Sequence, residues 1–158
     1  MEELRAGLWT WTGEHPEWTP EMTWGPEVRS YALRLEGTTV LFDPVEPAPA
    51  ADAILLTVPW HRRSADAIGL PVLEDPPAGI EAYPGYFAEE RAFYVPAHKA
   101  LVLGDAYIDG NVPPAELGSD DPDAPARLRA LLDLPFELVL PTHGDVTDRE
   151  TFEESLGS

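Results

Sequence analysis

Cysteine is missing from all 158 residues, glutamine is missing too, and one asparagine (Asn111) and one lysine (Lys99) are all there is of two common polar side chains. Without Cys there are no disulfides, no thiolate zinc ribbons and no thiol catalysis, and the chain is compatible with a reducing compartment. No apolar run approaches the roughly 18 residues that a membrane span needs. The opening MEELRAG has neither the basic start nor the apolar stretch of a secretion signal, so a cytoplasmic protein is expected. Positive charge is scarce as well: 10 Lys and Arg stand against 29 Asp and Glu, a net −19. Such a chain is repelled by phosphate backbones and anionic lipid, which argues against nucleic acid and membrane as partners. The few amides and the 18 prolines fit a thermophile, and fit a GC-rich genome equally well.

What is present is enough for one domain spanning residues 1–158, since 44% hydrophobic content at this length buries a real core. The segment 5–12, LRAGLWTW, alternates like a first strand, and Val28 to Glu36 followed by Thr38 to Asp43 reads as a hairpin. Between them the stretch 15–26 holds three Pro and two Trp, so an ordered loop with its rings packed down is expected, and His15 is expected at the surface, as is His98. Ala53 to Leu56 is a short apolar run of the kind buried on both faces, followed by a polar turn and a short helix from Ser64, its expected N-cap, to Ile68. Further strands are expected at 71–74, 80–82, 92–96, 100–104 and 136–140. Between the last two of these lie a Pro- and Gly-rich loop over 109–121 and a helix from Asp121 or Asp123 to about Leu132. Thr147-x-x-Glu150 predicts a capping box for a last acidic helix ending at Gly157.

Four stretches, in order, carry a family resemblance: LFDP at 41–44, TVPWHRRSA at 57–65, ALVLGDAY at 100–107 and LVLPTHGD at 138–145. Together they resemble the metallo-β-lactamase superfamily, in which a buried strand ends in T-H-x-H-x-D-H-S-[AG] and the His and Asp residues hold two metal ions. Thr57, Ser64 and Ala65 keep that frame, while Val58, Trp60, Arg62 and Arg63 stand where the metal ligands would be. Asp43, Asp105 and His143 match the family pattern, and YPGY at 83–86 resembles its P-G-H motif with Tyr86 in place of the His. The resemblance implies an α/β (α+β) fold, a four-layer αββα sandwich in a trimmed version, and a degenerate site.

The chemistry left by that resemblance is thin. A catalytic zinc needs three protein ligands and an open position, the pattern keeps only Asp105 and His143, and two guanidiniums beside a cation are disfavoured. No metal and no cofactor are therefore expected. Arg62 or Arg63 is expected to take over the neutralisation of Asp105, and with Ser64 and Tyr86 to line a site for a small anionic ligand. Three readings stay open: a binding or structural module without the dinuclear zinc site; a hydrolase using His61, Asp105 and His143 with at most one metal ion; and a homo-oligomer whose interface is built from Trp11, Trp18 and Trp24. Whether the chain is an enzyme at all is left open, with the balance towards not.

Overall fold

The structure, a computed structural model, describes residues 1–113 and 121–157. The middle of the loop expected over 109–121 lies outside the described residues. The chain divides into two compact units, Met1–Asp75 and Pro76–Ser158. Among the described residues no helix is long and apolar enough to cross a membrane.

The first unit is one five-stranded sheet in sequence order: β1 (Glu2–Arg5), β2 (Leu8–Glu14), β3 (Glu27–Leu35), β4 (Thr38–Phe42) and β5 (Ala53–Leu55). The single strand expected over 5–12 is instead two, because Gly7 adopts φ 87, a left-handed conformation open to glycine, and folds the chain back so that Arg5 faces Leu8. The β3–β4 hairpin lies where the sequence places it, closed by Glu36-Gly37 with Gly37 at φ 76. β5 joins β4 in parallel, and Val40, Leu41, Phe42, Ile54 and Leu55 are all fully buried, so both faces of these strands are covered as their uninterrupted apolar runs require. A short helix, α1 (Ala65–Ile68), follows, closed by Gly69 in the left-handed region at φ 78. The strand expected at 71–74 shrinks to one bridge between Val72 and Ile54.

One face of this sheet carries Trp11, Val28, Ala32, Leu41, Ile54 and Leu56 in a cluster, with Trp24 packed against it. The 15–26 loop is ordered as expected. His15 N–H donates to Pro26 O at 2.8 Å and Trp18 Nε1–H to Trp24 O at 2.7 Å. His15 is not a surface residue, however: it is only 9% exposed, its ring edge-on to Trp24 with centroids 5.1 Å apart. Trp11 is buried and donates to Val45 O at 2.9 Å, so it is committed to the core of this unit.

The second unit is a mixed sheet in the order β10-β9-β8-β7-β6, built from β6 (Glu81–Pro84), β7 (Arg91–Val95), β8 (Ala100–Ile108), β9 (Leu138–His143) and β10 (Thr147–Asp148). β8 and β9 run parallel, and their register breaks between Leu103 and Ile108, the stretch that holds Asp105. The helix expected up to Leu132 is α2 (Ala124–Ala130) followed by a separate 3-10 turn over Leu131–Asp133. Leu128, Leu131, Phe136 and Val139 form the core here with Phe152 of α3 (Arg149–Ser155), whose ring meets those of Tyr107 and Phe136 edge-on at 5.5 and 5.9 Å. The cap of α3 lies one residue later than the capping box predicts. Thr147 is drawn into the β10 ladder opposite Val139, and Asp148 accepts from Thr151 N–H at 2.8 Å instead.

Candidate functional site

In the first unit the chemistry gathers on Asp43, which follows β4, fully buried and with its backbone at φ 45. A buried carboxylate must be satisfied by donors or by charge. Here Thr57 gives both its N–H, at 2.8 Å, and its hydroxyl, at 2.5 Å, and His61 brings Nδ1 to 2.9 Å. The backbone carbonyl of Asp43 accepts from Ser30 Oγ at 2.8 Å and from Arg63 Nη1 at 2.7 Å. Burial pushes the Asp43 carboxyl up, but the charge and hydrogen bond of His61, the charge of Arg63 and the Thr57 hydroxyl together outweigh it and hold the group below its ordinary range.

The TVPWHRRSA turn supplies these partners because β5 ends at Leu55 and a 3-10 turn, Pro59–Arg62, curls back to bring His61 under Thr57. Val58 is buried, whereas Trp60 is half exposed. Arg62 points outward and pairs with Asp66 one helical turn on, both side chains well exposed. Arg63 sits at φ 44, ψ −114, a backbone conformation that a residue with a Cβ adopts only under constraint, and its guanidinium also reaches Arg29 O at 3.3 Å. Ser64 does not cap α1 with its side chain; the hydroxyl accepts from Glu46 N–H at 3.2 Å. None of Val58, Trp60, Arg62 and Arg63 offers a lone pair to a cation, and two of them are cations themselves.

In the second unit Asp105 and His143 come from the register break of β8 and the end of β9, with His143 Nε2 at 3.1 Å from Asp105 Oδ1. His143 is nearly buried and Asp105 partly so. The carbonyl of His143 accepts from Asp109 N–H at 3.1 Å; Asp109 has φ 49 and stands against Gly144, at φ 109, where a Cβ would meet its backbone at 3.2 Å. Tyr86 is buried, its ring edge-on to Phe87 at 5.1 Å.

Two groups escaped the sequence reading. Asp43 was recognisable as the Asp of LFDP, yet its part as the hub of five donors was not assigned. Glu90 was not singled out at all. Its carboxylate is 3% exposed and accepts the N–H groups of Tyr86 at 2.7 Å, Phe87 at 3.4 Å and Ala106 at 2.8 Å. Burial, with a smaller push from the charge of Asp105, overrides these hydrogen bonds and raises its pKa to about 7. The one available signal was Gly85: a Cβ there would fall 2.5 Å from Glu90 Oε1, so the glycine leaves room for the carboxylate.

No family model and no curated protein matches the sequence. Solved structures do match in fold. TMB-1 superposes with a TM-score of 0.74 at 12% identity, over 98% of this chain and 94% of its own. The metallo-β-lactamase from Pontibacter korlensis gives 0.70 at 16%, over 98% and 95%. The one from Erythrobacter litoralis gives 0.69 at 14%, over 98% and 89%. With two mixed five-stranded sheets, this order of elements and this likeness, the chain has the metallo-β-lactamase fold.

Proposed function

We propose that this chain is a metallo-β-lactamase-fold protein that builds no dinuclear zinc centre and serves as a binding module for a small anion. The observation that carries this is the Asp43 corner, in which Thr57 and His61 already occupy the carboxylate and Arg63 donates to the carbonyl of the same Asp43. The donor set does not fit a pair of metal ions, because the TVPWHRRSA turn offers Val58, Trp60, Arg62 and Arg63 at the ligand positions. His61 and Arg63 both hold the Asp43 carboxyl down, and such cationic side chains gathered on a chain of net −19 support a small anion as the ligand. Arg63, held by two carbonyls, is the residue expected to meet it, with Arg62, Ser64 and Tyr86 as further candidates.

Thermal unfolding in inorganic phosphate, with sodium chloride at matched ionic strength as the control, tests the reading. A ligand that binds only the native state stabilises it by about 2.7 kcal/mol at a hundredfold excess over its Kd. The wild type should gain stability in phosphate and Arg63→Met should not. No gain in phosphate, sulfate or acetate would leave only a structural role.

The Asp105–His143 pair favours a second reading, a residual hydrolase, since a carboxylate on imidazole is how a general base is oriented. Assays with a chromogenic β-lactam and a nitrophenyl ester, with and without added zinc, decide it. Turnover above background that disappears in His143→Ala would establish an enzyme.

A further inference from the structure

The turn between β6 and β7 is held from two sides. Its N–H groups at Tyr86 and Phe87 go to Glu90 Oε1, and its carbonyls at Gly85 and Tyr86 go to the Arg127 guanidinium, at 3.1 and 2.7 Å. Arg127 is itself fixed by Asp121, Nη1 to Oδ2 at 2.7 Å. The second oxygen of Glu90 reaches across to Ala106 N–H on β8, the residue after Asp105. One carboxylate therefore ties a turn to a strand, in a space that exists because residue 85 has no Cβ.

We propose that Glu90 is a proton-operated latch: as a carboxylate it fastens the Gly85–Phe87 turn to β8 at Ala106, and as the neutral acid it lets the turn go. The chemistry follows from the donors around it. Every polar contact of the carboxylate among the described residues is an N–H donor, so a proton added to either oxygen meets no acceptor among them and displaces one of the N–H groups. The hydroxyl oxygen that remains is a poor acceptor. The charged and titratable groups near it are Asp105 on β8, which favours the neutral acid, His143 on β9 acting through Asp105, Tyr86 in the turn itself, and Arg127, which stays on the carbonyl side with Asp121. Arg127 keeps the turn's carbonyls in either state, so release is a local loosening around Tyr86. A group that is half ionised near pH 7 places this switch within the neutral range. The inference does not depend on what the Arg63 corner binds.

Amide proton and nitrogen NMR shifts of the full chain between pH 5 and 9 test the latch. The Tyr86 and Ala106 N–H signals should move together with one midpoint near 7, both shifting upfield and both losing protection, relative to the intrinsic exchange rate at each pH, on the acid side. In Glu90→Gln both should be flat over the same range, while Arg127→Met should keep the shared midpoint and raise exchange in the turn. If Glu90→Gln fails to fold, the carboxyl carbon of Glu90 in the wild type must titrate with the two amides. Separate midpoints, no movement across the range, or a titration that survives in Glu90→Gln overturns the proposal.

Discussion

Two buried carboxylates, one in each unit, go opposite ways. Asp43 and Glu90 are 0% and 3% exposed, each accepts backbone N–H bonds, and burial alone would raise both. Asp43 ends below its ordinary pKa because His61 and Arg63 bring positive charge; Glu90 rises to about 7 because burial outweighs its neutral amide donors and the charge of Asp105 pushes the same way. The deciding factor is a charged partner, since neutral hydrogen bonds do not offset the full loss of hydration. The first unit answers its buried carboxylate with protein cations, while in the second burial raises the carboxyl of Glu90.

The largest effect should come from removing the acid of the Asp43 corner. Asp43→Ala removes the buried acceptor of Thr57 and His61 and the counter-charge that His61 and Arg63 act on, and urea unfolding should show a loss of about 3 to 5 kcal/mol. A lowered folded-state pKa also fixes the sign of the pH effect. The stability Asp43 contributes is complete above its unfolded value near 3.8 and is lost as pH falls through its lower folded value, so acid unfolding of the wild type should set in below pH 4.

Glu90 should do the reverse. Its unfolded form releases the proton near 4.5 and its folded form near 7, so stability is highest below 4.5 and declines as pH rises to about 7. At 1.36 kcal/mol per pH unit the decline amounts to roughly 3 kcal/mol. Glu90→Gln should abolish that slope in urea midpoints measured from pH 4.5 to 8, whatever its absolute stability; an unchanged slope would mean that Glu90 titrates alike in both states.

Much of the architecture was legible in the sequence. The apolar runs at 38–43, 53–56 and 100–104 hold strands, and the Gly37 turn lies between the two halves of the expected hairpin, whereas the Gly7 turn splits what read as one strand. What failed did so where a backbone or hydroxyl group was claimed from far away. Thr147 lost its capping role to a strand ladder with Val139, and Ser64 lost its own to Glu46, 18 residues earlier. The Asp43–His61 bond also spans 18 residues, and no local pattern announces it. Glu90 lies in AEER, between Glu89 and Arg91, where acidic residues normally face solvent; only the shape left by Gly85 sets it apart.

Smaller effects divide the Arg pair. Arg63→Met removes two hydrogen bonds to carbonyls and one of the charges that depress Asp43, so a loss of about 1 to 3 kcal/mol and an acid transition moved to higher pH are expected in denaturant titrations. Arg62→Ala breaks only an exposed pair with Asp66 and should leave the urea midpoint where it was. Equal losses in the two variants would erase the distinction between an inner and an outer arginine.

The account turns on whether the corner is neutralised by the protein itself or needs metal, and a zinc titration of chelator-treated protein followed by its melting temperature asks this most directly. The prediction is less than one equivalent bound and no change in Tm across the titration. Two tightly bound equivalents, with a rise in Tm that is lost in His143→Ala, would contradict it.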